Sequence, residues 1–538
     1  MSEEFSFRTR AENLDRIARE ALDVLVVGGG IVGAGIARDA ASRGLRTALV
    51  ERADFGSGTS GKTSRLIHGG LRYLRKFKVG LVRQAVRERD LLVARAPGLV
   101  HPLPFVLPAY RDRGPSKRVM RFGLFLYDFL SKDKKLPRRV WLSSAETRAR
   151  EPRLNPGGLE GAAIYYDAWA DDARLVLAVV RDAARAGAVV ANHTEVVGVR
   201  REGGRVSGAE IRDRLGDWSI EVRASVLVNA TGVWLDRLRW LRDVPTLRPT
   251  KGIHIFLPRK KIGNRNALAL TARRDGRVVF VLPWGNLTLV GTTDTDFHGD
   301  PDRVLPDRDD VAYLLDAVND AFPESHAGPE DVVSAYAGLR PLLRRGTADA
   351  SESDISREHS IFEDTDGLIS VAGGKLTTHR AMAEQVVDLV CARLRRHVPT
   401  RTVAEALGPS LDPLETFMEL GFDEETALHL QGRHSAADVR SVLETPVARE
   451  RIAEGMPHVW AEVALALRQE MATSLEDTMV RRLGLFYEAS DQGLSVAVPI
   501  AERMAPELGW DVPRVEREVD AYRDLVAAHR AFKGDHGR

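Results

Sequence analysis

Cysteine is nearly absent from this chain, and neither charge sign is in marked excess. Cys391 is the single cysteine in 538 residues, so an internal disulfide and a zinc site built on several thiolates are excluded. We predict that Cys391 is buried on a helix, that no metal is bound and that the protein works in a reducing compartment. The 78 Lys and Arg against 76 Asp and Glu leave a net charge of +2, which does not support nucleic-acid binding.

Long apolar runs are missing as well. No segment approaches the roughly 18 to 20 uncharged apolar residues of a membrane span. The first residues, MSEEFSFRTRAENLDRIAREA, lack the apolar core of a signal peptide. We therefore expect a cytoplasmic chain that neither spans a membrane nor is exported by this route. The 44% of apolar and 29% of charged residues are typical of a globular protein with several domains.

Residues 22–51 have the pattern of a complete βαβ unit. The strand DVLVVG leads into a glycine turn and an alanine-rich helix, and the strand LRTALVE closes on Glu51. Gly28 and Gly30 permit a tight turn, and Gly33 permits close packing, so a pyrophosphate can rest on the helix N-terminus. Glu51 lies where a carboxylate accepts hydrogen bonds from an adenosine ribose. The unit predicts a dinucleotide site.

The rest of the chain favours FAD over NAD. No second G-x-G-x-x-G offers another nucleotide site. Residues 186–230 contain short alternating strands that end in SVLVNATG, where Ala230 and Gly232 suit a backbone close to a flat ligand. The later stretch ISVAGGKLTTHRAMAEQVVDLV predicts a strand, a turn at Gly373 and Gly374, and a helix N-terminus facing the flavin. We infer an interrupted Rossmann domain.

These patterns predict an α/β protein with three domains. The FAD-binding domain is discontinuous over 20–95, 150–243 and 350–398, and the helical domain covers 405–538. A substrate-binding domain over 96–149 and 244–349 contains the strand-rich segment 251–297, which is expected to form an antiparallel sheet.

A set of motifs in this chain resembles those of one family, the FAD-dependent glycerol-3-phosphate dehydrogenases of the aerobic, quinone-linked type. Between about residues 20 and 385 they are VGGGIVGAGIARDAASRG, GKTSRLIHGGLRYL, YYDAWADDARL, VNATG, KGIHIF, GTTD, GLRPL and GGKLTTHRAMA. The resemblance implies a glutathione-reductase-like Rossmann fold with a C-terminal helical domain. It also implies FAD and oxidation of sn-glycerol 3-phosphate to dihydroxyacetone phosphate, with hydride passing from C2 to flavin N5. His379 stands where the family usually has tyrosine, which could alter the tuning of the flavin.

The hydroxyl-rich loop TSGKTSRLIHGG is assigned to FAD by the resemblance, although a plain flexible loop would have a similar composition. The predicted FAD contacts are Gly28, Gly30, Gly33, Glu51, Thr59, Ser60, Thr63, Ser64, Leu66, His68, Gly69, Ala230, Gly232, Gly373, Gly374, Lys375, Leu376 and Thr377.

Oxidation of a phosphate ester requires cations for the phosphate and a group that takes the hydroxyl proton. The predicted substrate contacts are Arg72, Tyr73, His254, Arg340, Arg357 and Lys375, of which His254, Arg340 and Lys375 are predicted to be catalytic. His254 on an apparent strand has the intrinsic pKa range of a general base, and Lys375 would favour negative charge beside the flavin. Each of these roles has an alternative: His254 is a structural histidine, Tyr73 is a packed aromatic ring, or Lys375 is a surface lysine.

Two further features allow two interpretations each. Asp171 and Asp172 precede the helical pattern ARLVLAVV and are interpreted as N-caps rather than catalytic carboxylates. Residues 111–139 contain phenylalanines and leucines between basic residues, which is typical of an interfacial helix on anionic lipid or of a core helix with solvated basic ends. The resemblance favours the first: peripheral attachment to the inner face of the cell membrane and electron transfer to a membrane quinone.

The nearest alternative function is a glycerol-3-phosphate oxidase that reduces oxygen. An FAD-dependent amine or amino-acid oxidase on the same scaffold, an RNA-binding flavoprotein and a regulatory flavin-binding protein without turnover are further alternatives. Homodimerisation is one option for the oligomeric state.

Overall fold

A computed structural model of the chain describes residues 5–76, 78–131, 136–239, 246–344 and 359–534, with the backbone alone at residues 72, 75 and 76. The described strands are β1 (Leu22–Val27), β2 (Thr47–Val50), β3 (Leu66–Ile67), β4 (His101–Tyr110), β5 (Val140–Ser143), β6 (Leu159–Trp169), β7 (Val189–Ala191), β8 (Thr194–Glu202), β9 (Arg205–Asp213), β10 (Trp218–Asn229), β11 (Leu247–Pro258), β12 (Ala267–Thr271), β13 (Val278–Trp284), β14 (Leu287–Gly291), β15 (Thr295–Asp296), β16 (Ser334–Leu343), β17 (Ser360–Glu363) and β18 (Ile369–Ala372).

The described helices are α1 (Phe7–Arg19), α2 (Ile31–Ser42), α3 (Val79–Arg95), α4 (Lys117–Leu130), α5 (Ser144–Arg150), α6 (Asp172–Arg185), α7 (Arg259–Ile262), α8 (Arg308–Ala321), α9 (His379–Arg393), α10 (Leu414–Glu419), α11 (Glu424–Gln431), α12 (Ala436–Arg440), α13 (Trp460–Glu470), α14 (Leu485–Glu488), α15 (Leu494–Leu508) and α16 (Val512–Arg530). None of the described helices is long and apolar enough to cross a membrane.

The first sheet is the Rossmann sheet that the sequence predicts. Its strand order is β17-β18-β10-β1-β2-β7, and β1 runs parallel to both β2 and β10. Every residue of β1 is buried, as expected for a strand in a parallel sheet whose two faces are covered by helices. Helix α2 packs against α6 and α9. The βαβ unit of the first 51 residues is confirmed, and so is the burial of Cys391 on α9.

The second sheet carries the strand-rich segment of the sequence. Its order is β15-β11-β14-β13-β12-β4-β6-β3, with β16 beside β11 and β5 beside β6. Its pairs are antiparallel, as predicted, except that β12 runs parallel to β4. These two strands come from separate stretches of the chain, so no hairpin turn fixes their relative direction.

The C-terminal helices α10–α16 form the predicted helical region and are joined to the Rossmann sheet through buried charges. The carboxylate of Asp54, 1% exposed, accepts hydrogen bonds from Arg481, Arg482 and Asn192. Arg482 is itself 2% exposed. Because buried charges are costly unless they are paired, this contact fixes the helical region against the residues that follow Glu51.

Candidate functional site

A cleft of about 1260 Å³, its open mouth included, lies at the carboxyl edge of the Rossmann sheet. Its lining combines the first glycine turn, the loop after β2, the residues after β10 and the turn before α9. The lining residues are Val27, Gly28, Gly30, Ile31, Val32, Glu51, Arg52, Gly56, Gly58, Thr59, Ser60, Thr63, Thr194, Glu195, Val196, Ala230, Thr231, Gly232, Trp234, Arg237, Leu238, Pro341, Val371, Gly373, Gly374, Lys375 and Leu376.

The first glycine turn is tightly packed from beneath. Gly28 has φ +107°, and a Cβ atom there would lie 2.7 Å from the carbonyl oxygen of Ala230. A Cβ atom on Gly33 would lie 1.9 Å from the carbonyl oxygen of Gly28. Gly33 therefore does not line the cleft but allows α2 to approach the turn, which brings the helix N-terminus to the cleft wall.

Glu51 braces the same turn from the end of β2. Its Oε2 accepts the Gly29 N–H at 2.6 Å, and its Oε1 accepts the Ala53 N–H at 2.9 Å. Burial raises the pKa of Glu51, and the two backbone N–H groups partly offset that rise. Each carboxylate oxygen can accept a further hydrogen bond, so the residue suits the ribose hydroxyls of a dinucleotide.

Hydroxyl side chains hold the loop that follows β2. Ser60 Oγ accepts the Ile31 N–H at 3.0 Å, at the first turn of α2, and the Thr59 hydroxyl donates to the Leu339 carbonyl at 2.6 Å. The cleft thus offers small residues, a helix N-terminus and hydroxyls at one end and the Gly373–Gly374 turn at the other. This donor set and shape fit FAD, which these residues would hold.

The Gly374 end of the cleft carries a cation over an aromatic ring. The Lys375 Nζ atom lies 4.0 Å from the centroid of the Tyr73 ring, which is 7% exposed. Next to it, the Thr377 hydroxyl accepts the His68 N–H at 3.1 Å and donates to the His68 carbonyl at 3.3 Å. The sequence-predicted groups Tyr73, His68 and Lys375 are therefore brought together.

His254 lies on β11 and is 3% exposed. Its Nε2 atom is 2.8 Å from Ser64 Oγ, and its ring stacks on Tyr336 with centroids 4.9 Å apart. Its Nδ1 atom has no hydrogen-bond partner among the described residues. Burial, assisted by the charges of Arg340 and Arg65, holds the pKa of His254 well below its usual range, so the imidazole is neutral at neutral pH.

Arg340 is held by the second sheet. Its guanidinium contacts Asp294 at 2.9 Å and donates to the Thr292 hydroxyl at 2.9 Å and the Thr293 carbonyl at 3.0 Å. The side chain is 17% exposed. Its planar fork is therefore fixed in direction, although the Asp294 carboxylate neutralises part of its charge.

Not every predicted site residue lines the cleft. The lining does not include Ser64, Leu66, His68, Gly69 or Thr377. Leu66 pairs with Trp169 between β3 and β6, and the Gly69 N–H donates to Tyr127 at 3.0 Å. The side chain of Arg72 and the whole of Arg357 lie outside the described residues. Both remain predictions.

The sequence did not predict the residues at the mouth of the cleft. Arg52 lies 4.8 Å from the Trp234 ring centroid, and the Trp234 indole N–H donates to Asp302 at 2.7 Å. Arg237 donates to the same carboxylate at 3.0 Å. These residues follow different strands and meet only in the folded chain, so no local spacing marks them.

The N-cap interpretation holds for Asp171, whereas Asp172 is the first residue of the helix and accepts a first-turn N–H without occupying the cap position. The Asp171 side chain accepts the Arg174 N–H at 3.1 Å at the start of α6. The Oδ1 atom of Asp172 accepts the Ala173 N–H at 3.0 Å and lies 3.7 Å from Arg65, and its Oδ2 atom accepts the Thr63 N–H at 2.8 Å. Only one side chain can occupy the cap position, and the second carboxylate turns toward the loop that passes over the helix.

His379 packs away from the cleft. Its Nδ1 atom lies 2.9 Å from the Leu376 carbonyl oxygen, and a Cβ atom on Gly35 would be 3.3 Å from its ring. Burial lowers the pKa of His379 to about 4. The residue therefore supports the contact between α2 and α9.

Helix α4, within residues 111–139, has features of both a core helix and an interfacial helix. Met120, Leu124 and Tyr127 are buried on one face. On the other, Phe122, Phe125 and Phe129 are 70%, 54% and 61% exposed. The helix is thus anchored in the core by one face. Its other face presents three neighbouring exposed aromatic rings rather than single scattered ones.

Comparison with known proteins supports the interpretation of the cleft as an FAD site. Residues 23–389 match the family model described as FAD dependent oxidoreductase, and residues 410–515 match the C-terminal domain of alpha-glycerophosphate oxidase. Glycerol-3-phosphate dehydrogenase of Mycobacterium leprae is 39% identical over 540 residues, covering 96% of this chain and 90% of the relative. Aerobic glycerol-3-phosphate dehydrogenase of Staphylococcus saprophyticus is 33% identical over 541 residues, covering 96% of each.

A solved structure extends this likeness to the whole fold. Glycerol-3-phosphate dehydrogenase from Bacillus halodurans, complexed with FAD, has a TM-score of 0.81 and 29% identity, covering 98% of this chain and 99% of that one. The chain therefore uses FAD and belongs to the family of FAD-dependent glycerol-3-phosphate dehydrogenases.

Proposed function

We propose that this protein oxidises sn-glycerol 3-phosphate at C2 to dihydroxyacetone phosphate. The names of the relatives that match along the whole chain support this substrate. The observation that carries the proposal is the contact between the buried neutral imidazole of His254 and the hydroxyl of Ser64. Ser64 follows Thr63, which lines the dinucleotide cleft, and the Lys375 ammonium group lies at the Gly374 end of that cleft. That set can take a hydroxyl proton and hold an anion.

The cleft residues would hold FAD, and the flavin would supply the hydride acceptor for C2. The protein residues handle the proton and the charge. As C2 becomes a carbonyl carbon its hydroxyl becomes strongly acidic, so even an imidazole of lowered pKa can accept that proton. Ser64, hydrogen-bonded to the His254 Nε2 atom, is placed to pass it on. Lys375 and Arg340 supply positive charge for the phosphate and for the reduced cofactor.

The electron acceptor in this proposal is a membrane quinone. The exposed Phe122, Phe125 and Phe129 of α4 and the neighbouring basic residues suit the surface of an anionic bilayer. The buried face of the same helix reaches the site, because Tyr127 accepts the N–H of Gly69. The proposal therefore places the protein at the inner face of the cell membrane, with the flavin end near the lipid.

Anaerobic visible spectroscopy tests the substrate. The purified, FAD-loaded protein is mixed with sn-glycerol 3-phosphate, with glycerol and an amino acid as controls. Bleaching of the flavin band by the phosphate ester alone is the expected result, and bleaching by the amino acid alone would point to an amino-acid oxidase.

A second assay tests the acceptor. The reduced protein is supplied either with a quinone in anionic vesicles or with air-saturated buffer. Rapid quinone reduction with little peroxide is expected, whereas fast peroxide formation and no quinone reduction would assign the protein as an oxidase.

A further inference from the structure

Arg65 is a buried cation to which the proposed function assigns no role. It is 3% exposed, lies between the FAD loop and β3, and has φ 55°. Its NH1 atom is 3.5 Å from Asp171, and its Nε atom is 3.7 Å from Asp172. A charge this deep is costly unless carboxylates compensate it, so the pair Asp171 and Asp172 has a role beyond capping α6.

Aromatic rings enclose the same guanidinium. Its Cζ atom lies 4.3 Å from the ring centroid of Trp284, 4.8 Å from Tyr487 and 5.6 Å from Phe256. Tyr487 belongs to α14 of the C-terminal region, and its carbonyl accepts the Ser334 hydroxyl at 2.8 Å. The Trp284 N–H donates to Glu488, the next residue, at 3.0 Å. The C-terminal helices thus brace Arg65 from behind.

The backbone around Arg65 is tied to the catalytic histidine. The Arg65 N–H donates to Thr63 Oγ1 at 2.9 Å, and the Thr63 N–H donates to Asp172 at 2.8 Å. The hydroxyl of Tyr336, whose ring stacks on His254, donates to the Thr63 carbonyl at 2.6 Å. In the sequence Ser64 lies between Thr63 and Arg65, and its hydroxyl contacts His254. Every polar group of Thr63 is therefore fixed by a buried partner.

We propose that Arg65 is a positioning residue for the reaction: held by Asp171, Asp172 and the ring of Tyr487, it sets the Ser64 hydroxyl against His254. It touches neither substrate nor cofactor in this proposal and acts through Ser64. The C-terminal helices acquire a role in catalysis, because one of their side chains closes the aromatic enclosure. This inference rests on the proposed function, since it assigns His254 and Ser64 to proton transfer.

The charge of Arg65 adds a second effect. The groups that face His254 are Tyr336 and Arg340 from β16, Ser64 and Arg65 from the FAD loop and, beyond Arg65, the two carboxylates of α6. Two cations therefore oppose protonation of the imidazole. Removal of Arg65 takes away one cation and leaves Asp171 and Asp172 without its compensating charge, and both changes favour the protonated ring.

The test compares Arg65→Met with Arg65→Lys in the full-length, FAD-loaded protein. The Met variant is expected to lower kcat at least about tenfold at similar KM, as a misplaced proton acceptor does. It should also move the acid limb of kcat/KM to higher pH by about one unit. The Lys variant keeps the charge, so its acid limb should stay at the wild-type pH and part of kcat should return.

Arg239→Met is the matched control. Arg239 is equally buried, pairs with Asp364 at 2.9 Å and lies 4.8 Å from the Phe362 ring, but does not face His254. It is expected to lower thermal stability without moving the pH profile. Flavin fluorescence titration of the apoproteins reports FAD affinity independently of activity, and we expect Arg65→Met to retain it within about threefold.

The outcomes are distinct. If Arg65→Met unfolds more easily but keeps wild-type kcat and pH profile per bound flavin, as Arg239→Met should, Arg65 is purely structural and the inference is wrong. If Arg65→Met does not fold, Asp172→Asn replaces it, with a tenfold lower kcat at unchanged KM expected and a wild-type kcat contradicting the inference. If glycerol 3-phosphate does not bleach the flavin band of the wild-type protein, the proposed function itself is wrong.

Discussion

The Nε2 atom of His254 lies 2.8 Å from the Oγ atom of Ser64, at a point where the Rossmann loop meets the second sheet. The two residues are 190 positions apart in the chain. Ser64 is thus placed as a partner of the histidine rather than as a direct lining group of the cleft. This contact joins the loop to β11.

Ser64→Ala removes that contact while leaving the loop backbone in place. We expect kcat to fall by about a hundredfold or more and FAD content to stay near the wild-type value, because general acid–base catalysis contributes roughly 10²- to 10⁴-fold. Stopped-flow flavin reduction measures the effect directly. A variant that reduces its flavin at the wild-type rate would show that the Ser64 hydroxyl takes no part in proton transfer.

Gly33→Val places side-chain atoms where no space exists. The Cβ atom alone would lie 1.9 Å from the Gly28 carbonyl oxygen, so α2 must move away from the first turn. We expect loss of bound flavin, measured as the ratio of visible to ultraviolet absorbance. Gly80→Ala on α3, where a Cβ atom meets nothing within 4 Å, is the control and should retain the full flavin content.

The exposed rings of α4 are predicted to carry membrane binding. Replacing Phe122, Phe125 and Phe129 together by Ser should abolish co-sedimentation with anionic vesicles and slow quinone reduction. Reduction of a water-soluble dye should be unchanged, since these side chains face away from the core. Leu428→Ser, at another apolar side chain with 61% exposure, should leave vesicle binding intact. Equal loss in both variants would refute a specific role for α4.

His379 is predicted to make the protein acid-sensitive. Burial lowers its pKa from 6.5 to about 4. Below pH 6.5 the imidazole therefore binds a proton in the unfolded chain but stays neutral in the folded protein until the pH approaches 4. Stability from this group is complete above pH 6.5 and is lost as the pH falls toward 4. His379→Gln should reduce the loss between pH 8 and pH 5 by about 2 kcal/mol in denaturant unfolding of the apoprotein. His298→Gln, at an exposed position, should leave that loss unchanged.

Asp54→Ala breaks the buried charge contact between the Rossmann sheet and the C-terminal helices. Arg481 and Arg482 would keep their charge without this carboxylate, so we expect a loss of about 3–5 kcal/mol in the free energy of unfolding. Glu221→Ala removes an exposed partner of Arg200 and should cost less than about 1 kcal/mol. Similar losses in the two variants would mean that the Asp54 contact adds no more stability than the exposed pair.

Local spacing was enough to predict the dinucleotide turn. Gly28, Gly33 and Glu51 lie within one βαβ unit, and the physical demands on each, a positive φ, close packing and a carboxylate at a strand end, depend on near neighbours in the chain. The turn at Gly373 and Gly374 could be predicted for the same reason. The alanine-rich helix and the buried strand follow from composition and periodicity.

The remainder of the site depends on long-range packing. The enclosure of Arg65 draws side chains from β11, β13, α6 and α14, and nothing in the spacing of Trp284, Tyr487 and Asp172 shows that they meet. Asp172 illustrates the limit: its position beside a helix start predicts a contact with a first-turn N–H, but not the second contact with the Thr63 N–H of the loop above it. The sequence by itself determined the Rossmann unit, because its contacts are local. Only the tertiary structure decided which buried charges are paired, because burial makes pairing necessary and the fold alone selects the partners.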